Sequence, residues 1–327
     1  MRRDRLPIHN APGGQGVIVP CKCGAVLRFM LHNDAKTSPV VDIPLKGSPK
    51  ALIPNAFPLP VGPLNVGGSC DATTSACVDC YAANLENLYA PFARGASVNL
   101  ANLEHLKQCA GQSAVVSALV ACVRHSEMAQ RARGIASPCF RWHSAGDIFA
   151  AWYGRAIRSA VVASPGVDHW IYTRDAVKVK TLLPVPSNLR VMLSADSDNV
   201  ARMARAGSRL GLPLAMLADD QAHAVALWAR ALAVAPIPSA VVCPVSGKWS
   251  RDSVGVSAHV VGVNGRRSSA RRGSAGVGAC VACGLCLPGA PDRSVTFLLH
   301  GGKNRGKTDG KLGAAIRRRV IPLAVAL

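Results

Sequence analysis

The segment CFRWHSAGDIFAAWYGRAIRSAVVASPGVDHWIYTR, residues 139–174, decides the fold of this 327-residue chain. Residues 139–143 and 169–173 are short runs rich in aromatic and apolar side chains, which is typical of strands. Between them, residues 147–163 carry apolar side chains on one helical face. A strand, a helix and a second strand in this order predict a βαβ unit with two parallel strands.

The same alternation continues as far as residue 243, with turn residues between the elements. Because βαβ crossovers are right-handed, such a chain winds into a barrel or an open sheet. We predict an α/β fold, best described as a partial (β/α)6 TIM-like barrel of parallel strands. The further predicted strands are residues 189–194, 214–217 and 240–243, and the further predicted helices are residues 175–183, 199–210 and 221–235.

Composition divides the chain into three regions. Residues 1–66 are rich in Pro and Gly and form an irregular N-terminal segment that holds the first strands. Residues 67–245 form the βα-repeat barrel and its preceding cysteine loop, and residues 246–327 form a basic, Cys-rich C-terminal extension. The hydrophobic fraction of 49% is that of a folded chain and not of a disordered one.

Polar side chains follow each predicted strand at the point where it ends. In parallel sheets these carboxyl ends form the edge that binds ligands. The alternative is that Ser and Asp residues only cap the helices that follow. The residues at these strand ends are His143, Ser144, Gly146, Asp147, Tyr172, Thr173, Arg174, Ser194, Asp196, Asp198, Asp219 and Asp220.

Three cysteines lie upstream of this repeat, Cys70, Cys77 and Cys80, at the spacing C-x6-C-x2-C. Thiolates select iron–sulfur clusters, zinc or Cu(I). Three thiolates suit a four-iron cluster with one open iron, whereas zinc needs a fourth ligand, and no histidine lies nearby in sequence. We favour a [4Fe-4S] cluster. The alternatives are a zinc site completed from afar, or buried cysteines without a metal.

A second group, Cys280, Cys283 and Cys286, has the spacing C-x2-C-x2-C and is followed closely by a proline, as in part of a bacterial ferredoxin motif. Cys243, at the end of the last predicted strand, supplies a fourth thiolate. We therefore predict a second, closed metal site, which would hold either a second four-iron cluster or structural zinc.

Other cysteines are interpreted as structural. Cys21 and Cys23 lie between two strand-like runs that form a hairpin, and the alternative is that they are half of a further metal site. Cys109 lies within a long apolar helical pattern at residues 101–133, which is expected to break near Gly111. Small apolar cysteines in such a pattern are more often packing residues than ligands.

The formal net charge of +20 favours an acidic partner, with nucleic acid as the leading candidate. The basic runs at residues 266–272 and 303–319 would neutralise phosphates. The alternative is an Arg-rich composition that reflects codon bias. We see no secretory signal and no long apolar run, so we expect a cytoplasmic protein without a membrane span, whose 12 cysteines stay reduced.

The order of motifs resembles that of the phage-encoded gene product 88 proteins over roughly residues 65–300. The motifs are the C-x6-C-x2-C-Tyr-Ala loop, then Arg-Trp-His-Ser-Ala-Gly-Asp at residues 141–147, then Trp-Ile-Tyr-Thr-Arg at 170–174, then Ser194-x-Asp196, and the late cysteine group. These proteins are in turn similar to radical S-adenosylmethionine (SAM) enzymes. For a phage-encoded protein, the cytoplasm would be that of the host cell.

The resemblance to radical SAM enzymes implies a cofactor arrangement. Three cysteines would hold a four-iron cluster, and its open iron would bind SAM, which reduction then cleaves. Departures are the first cysteine gap of six residues, Asp147 in place of a Glu, and an aromatic residue after the last cysteine. The resemblance assigns the cluster to Cys70, Cys77 and Cys80, and cofactor binding to Ser144, Gly146, Asp147, Tyr172, Thr173, Arg174, Ser194 and Asp196.

We therefore expect an iron–sulfur protein resembling radical SAM enzymes, which acts on nucleic acid or nucleotides and needs an electron donor. The first alternative is a non-catalytic, metal-stabilised phage protein that binds nucleic acid. The second is a protein whose cluster only senses redox state or holds the fold. The sequence names no substrate, reaction or oligomeric state.

Overall fold

The computed structural model describes residues 16–34, 41–42, 54–77, 80–238, 240–243, 275–276, 285–290 and 292–298. The strands are β1 (Gly16–Pro20), β2 (Val26–Met30), β3 (Val41–Asp42), β4 (Ala56–Phe57), β5 (Cys139–Trp142), β6 (Asp168–Thr173), β7 (Leu189–Ala195), β8 (Leu214–Ala218), β9 (Ala240–Val242), β10 (Ala275–Gly276) and β11 (Ser294–Leu298). The helices are α1 (Tyr81–Leu88), α2 (Ala90–Arg131), α3 (Ala151–Val162), α4 (Val200–Leu210) and α5 (Gln221–Leu232).

A seven-stranded sheet forms the centre of the fold, in the order β4-β5-β6-β7-β8-β11-β9. Every pair of neighbours in this sheet is parallel. Two small antiparallel pairs, β1 with β2 and β3 with β10, lie outside it. The α/β class and the parallel sheet predicted from the sequence are therefore confirmed.

The helices pack on one face of the sheet. Phe140, Ile171 and Val191 point from successive strands into the main core, which they share with residues of α2 to α5. Met192 of β7 and Ala215 of β8 belong to a second, smaller apolar cluster, which among the described residues includes none from a helix. Right-handed crossovers between strands added in one direction give this one-sided arrangement.

The sheet is open, and a TIM-like barrel is not shown. Within the described residues, the edge strands β4 and β9 do not pair with each other, as barrel closure requires. The order also departs from simple succession, because β11 enters between β8 and β9. The segment before the cysteine loop, residues 59–66, forms no strand, because Pro60 and Pro63 cannot donate to a strand ladder, and Leu64–Val66 form a 3-10 helix.

Helix α2 is the longest element and breaks at Gly111, as predicted, where φ is 82° and ψ is −170°. By length and composition α2 could cross a membrane, and one third of its most apolar window is buried in the fold. A single helix of this kind is weak evidence for a span, since the core helix of a soluble protein has the same composition. Leu103, Leu106 and Leu119 of α2 belong to the main core.

Candidate metal and cofactor site

The cysteine loop, described at residues 70–77 and 80, lies against the carboxyl ends of β6 and β7. Two hydrogen bonds hold it there: the Thr74 hydroxyl donates to Asp196 Oδ2 at 2.6 Å, and the Ser75 amide donates to Asp198 Oδ2 at 2.6 Å. Both acidic residues follow β7 directly. The carboxyl edge of the sheet therefore carries the loop whose cysteines the sequence singled out.

Arg174 connects the loop to the sheet. Its guanidinium Nη1 donates to Cys77 Sγ at 3.4 Å and to Asp196 Oδ2 at 2.7 Å, and it also donates to the Thr74 hydroxyl. The Cys77 sulfur accepts a further hydrogen bond from the Thr74 amide at 3.4 Å. The Asp196 carboxylate is almost fully buried, so it requires the positive charge of Arg174.

The three loop thiols lie near enough to influence one another. Burial raises the pKa of the Cys70 thiol well above its usual value, and the charges of Asp147, Cys80 and Cys77 act in the same direction. Burial also raises the pKa of Cys80, while hydrogen bonds from the amides of Ala83 and Ala82 in the first turn of α1 oppose this effect. The loop therefore gathers three sulfurs in one partly buried, polar environment.

Asp147 joins the loop after β5 to the loop after β6. Its Oδ1 accepts from the Ile148 amide at 2.7 Å, and its Oδ2 accepts from the Arg174 amide at 2.8 Å. Burial raises the pKa of this carboxyl, although hydrogen bonds from the Thr173 side chain and from these two amides lower it. Through these hydrogen bonds Asp147 fixes the loop after β5 relative to the loop after β6.

Gly146 and Ser69 bring the cysteine loop close to β5. The Ser69 hydroxyl accepts from the Asp147 amide at 3.1 Å and donates to the Pro60 carbonyl at 2.8 Å. Gly146 has a φ of 81°, and a Cβ at this position would lie 2.3 Å from Ser69 Oγ. Only glycine combines this backbone conformation with so close an approach.

The other residues assigned to cofactor binding lie around this network. Thr173 is buried, and its hydroxyl accepts from the Asp175 amide at 3.1 Å. Tyr172 points to the other face of the sheet, where its ring meets Phe297 edge-on at 5.9 Å. Strand alternation places Ser194 on the face of Met192. Ser144 is buried beside His143, whose pKa burial lowers to about 3.

Two of the four cysteines of the predicted second site are described. Cys243 is buried, and Cys286 is partly buried and packs against the same small apolar cluster, together with Tyr172. The Cys243 amide donates to the Thr296 carbonyl at 2.8 Å, which fixes the end of β9 beside β11. Cys280 and Cys283 lie outside the described residues, as do the basic runs at 266–272 and 303–319.

A further cluster joins residues that the sequence analysis treated separately. The ligand atoms of Cys21, Cys23, His105 and Cys109 all lie within 4.8 Å of one another, so this group could hold a metal ion. It is the one such group within the described part of the chain. The sequence signals were a C-x-C pair in a hairpin and an H-x3-C pair on a helix, and each is weak alone.

The protonation of Cys23 fits this arrangement. The Ala25 amide, and then the side chains of His105, Cys21 and Cys109, lower the pKa of Cys23 to about 6. Its sulfur lies 3.3 Å from His105 Nε2. The interpretation of Cys109 as a packing residue missed this contact, because it considered the helix without the hairpin.

Comparison with known proteins gives one family. The family model described as Gene product 88 matches residues 26–289, which is more than half of the chain. No curated protein and no solved structure matches the chain significantly. The matched segment includes the cysteine loop, all strands of the central sheet except β11, and all four cysteines of the predicted second site.

Proposed function

This chain belongs to the phage gene product 88 family, and we propose that it is an iron–sulfur protein in which Cys70, Cys77 and Cys80 hold an open four-iron cluster. The observation that carries the proposal is the contact of Cys77 with Arg174 and the Thr74 amide at the carboxyl edge of the sheet. Hydrogen bonds to cysteine sulfur tune the reduction potentials of such clusters.

The first argument concerns the thiols themselves. Cys70 and Cys80 have raised pKa values because they are buried, so as free thiols they would be neutral and unreactive. The groups around these sulfurs, however, are suited to negative charge: the Arg174 guanidinium and the amides at the start of α1. A bound metal centre deprotonates its cysteines, and the guanidinium and amide groups around the resulting thiolates then stabilise their negative charge.

The second argument favours a cluster over a single ion. The loop sulfurs do not form a set with all atoms within 4.8 Å of one another, unlike the group at Cys21. Within the described residues, no histidine, aspartate or glutamate completes such a set around them. A four-iron cluster binds each cysteine at a different iron, so it accepts a wider spacing and needs only three. Its fourth iron then stays open to an external ligand.

The finer proposal is that this ligand is SAM, as the resemblance to radical SAM enzymes implies. The cluster would supply one electron at low potential. Arg174 and Asp196 lie next to Cys77, so they are the residues best placed to contact the ligand. Asp147 would position the Arg174 backbone. Helices α2 to α5 all pack on one face of the sheet, as the helices of a barrel do, and this supports a partial barrel with the cysteine loop at its carboxyl edge.

The substrate class rests on charge. The formal net charge of +20 would attract nucleic acid or nucleotides. Helix α4 adds a local feature, because Arg202, Arg205 and Arg209 are all exposed on it and the helix contains no acidic residue. This stripe also favours the second candidate function, a non-catalytic nucleic-acid-binding protein whose metal centres only stabilise the fold.

Anaerobic reconstitution with iron and sulfide tests the proposal. Wild type should gain at least one cluster of about four irons, and its reduced electron paramagnetic resonance signal should shift when SAM is added. Cys77→Ala should lose these four irons and the SAM-dependent shift. Cys122→Ala is the matched control, because Cys122 is buried in the main core.

The outcomes separate the candidates. Retention of all iron by Cys77→Ala would refute the cluster at this loop, as would a wild-type protein that accepts only zinc. A cluster that ignores SAM, together with nucleic-acid binding that weakens steeply with salt, would select the non-catalytic candidate.

A further inference from the structure

The hairpin formed by β1 and β2 presents two thiols at its turn. The Cys21 amide donates to the Ala25 carbonyl at 2.8 Å, and the Gly24 amide donates to the Cys21 carbonyl at 2.9 Å. Gly24 has a φ of 86°, which closes the turn. The turn fixes the backbone on both sides of Cys23, while Cys21 is buried and Cys23 is exposed.

Helix α2 presents the other two side chains. His105 and Cys109 are four residues apart, so they lie on the same face one turn from each other. The same face holds β2 further along: Asn99 accepts from the Met30 amide at 2.7 Å, and Asn102 donates to the Arg28 carbonyl at 2.9 Å. The helix and the strand are therefore aligned by hydrogen bonds, and this alignment leads the hairpin turn to His105.

We propose that Cys21, Cys23, His105 and Cys109 form a structural zinc site with closed tetrahedral coordination. Three cysteines and one histidine are a common ligand set for structural zinc. A tetrahedral ion with Zn–S bonds of about 2.3 Å holds two sulfurs about 3.8 Å apart. The observed group, with all ligand atoms within 4.8 Å and Cys23 Sγ 3.3 Å from His105 Nε2, has the size of a single-ion site.

This site would clamp the hairpin onto the helix. A two-stranded hairpin with strands of five residues is only marginally stable by itself. Asn99 and Asn102 secure β2, but the turn extends beyond them, and small elements of this kind commonly need a metal or a disulfide. The zinc site is separate from the loop at Cys70, and it has a complete ligand set, so its role is to stabilise the fold.

Zinc content of the full-length protein tests this proposal. Cys109→Ala should bind one zinc fewer than wild type, and it should lose the visible and near-ultraviolet bands of tetrahedral, thiolate-bound Co(II) at this site. Cys122→Ala, a buried cysteine on the same helix outside the group, should keep both. His105→Cys should also keep both, because a fourth thiolate is an equally good zinc ligand.

The His105→Cys variant tests whether loss of zinc from His105→Ala is caused by misfolding. His105→Ala should lower zinc affinity by more than about 100-fold, since even second-shell changes cost 10–100-fold, while His105→Cys restores it. Equal zinc content in wild type, Cys109→Ala and His105→Ala would overturn the proposal. The proposal would also be overturned if these two variants lost iron and sulfide in place of zinc. A disulfide among the three cysteines under reducing conditions would overturn it as well.

Discussion

Arg174 and Cys77 are joined by a 3.4 Å hydrogen bond from guanidinium to sulfur, although 97 residues separate them in sequence. Arg174 is the first residue after β6, and Cys77 lies in the loop that precedes α1. The same Nη1 atom contacts Asp196 after β7, so one guanidinium links two strand ends to the cysteine loop. The stability of the fold and the electrostatics of the proposed cluster therefore depend on the same side chain.

Replacement of Arg174 should affect both properties. Arg174→Gln leaves the buried Asp196 carboxylate without its cation, so we expect unfolding free energy to fall by about 3–5 kcal/mol. Loss of a positive charge and a hydrogen-bond donor at Cys77 should also lower the reduction potential of a cluster bound there. Urea denaturation and potentiometric titration measure the two effects.

A double variant separates the two effects of Arg174. Arg174→Gln with Asp196→Asn removes the unpaired buried charge, so it should recover much of the stability. The potential should recover only in part, because the local net charge is restored while the hydrogen-bond donor at Cys77 is still missing. Arg205→Gln, at an exposed position on α4, should change neither. A potential that is unchanged in Arg174→Gln would argue against a cluster at Cys77.

The sequence predicted the repeat because its signals are local. Periodicity within 139–243 predicted the strands and helices α3 to α5, with bounds that differ from the observed ones by a few residues. The helix predicted at residues 175–183 was wrong, because only a short 3-10 helix, Lys178–Leu182, forms there. The insertion of β11 between β8 and β9 was not predicted, because strand order depends on pairing between residues distant in sequence. Closure of a barrel also depends on pairing between strands distant in sequence, so the repeat pattern alone cannot distinguish a barrel from an open sheet.

The candidate site was likewise predicted only in part from the sequence. Sequence reasoning singled out Arg174 and Asp196, which the structure brings to the cysteine loop. The resemblance assigned Asp147 to cofactor binding, and the structure adds that its oxygens accept from the Ile148 and Arg174 amides, a contact that sequence reasoning did not predict. Sequence reasoning missed the group at Cys23 and His105, because 82 residues separate them and only the docking of a hairpin on α2 joins them.

Gly146→Ala should destabilise the protein strongly. The new Cβ would lie 2.3 Å from Ser69 Oγ and 2.6 Å from Leu59 Cβ, at a φ of 81°. Strain and overpacking together should cost about 2–4 kcal/mol of unfolding free energy and should loosen the cysteine loop. Gly211→Ala is the matched control, because φ is 65° there but nothing lies within 4 Å of a new Cβ. Its cost should be only about 1 kcal/mol. Equal costs by urea denaturation would mean that the close approach at Gly146 is unimportant.

Asn99→Ala should weaken the attachment of β2 to α2. The Asn99 side chain accepts from the Met30 amide and donates to the carbonyls of Met30 and Pro58, at 2.7–2.9 Å, and it is fully buried. Its removal leaves these backbone groups without a partner, at a cost of about 2–4 kcal/mol.

The proposed zinc site should limit the effect of Asn99→Ala. Because Asn99 is not one of the four ligands, the variant should still bind zinc between the hairpin turn and α2, and saturating zinc should raise its melting temperature. Chelation should therefore increase amide hydrogen exchange in β2 more in Asn99→Ala than in wild type. Unchanged exchange in both proteins on chelation would show that zinc does not secure the hairpin.

His169 should make the stability depend on pH. It is fully buried on β6, its ring stacks on Trp142 at 5.9 Å, and burial lowers its pKa to about 3. The unfolded chain binds a proton near pH 6.5, whereas the folded protein does not do so until about pH 3, so stability is lost as the pH falls from 6.5. Between pH 7 and pH 5 this histidine should cost about 2 kcal/mol of unfolding free energy.

His169→Gln should remove that part of the dependence of stability on pH, whatever the stability of the variant at pH 7, while His125→Gln on α2 should keep it. Parallel slopes for wild type and His169→Gln, measured by urea denaturation at each pH, would show that folding does not lower the pKa of His169.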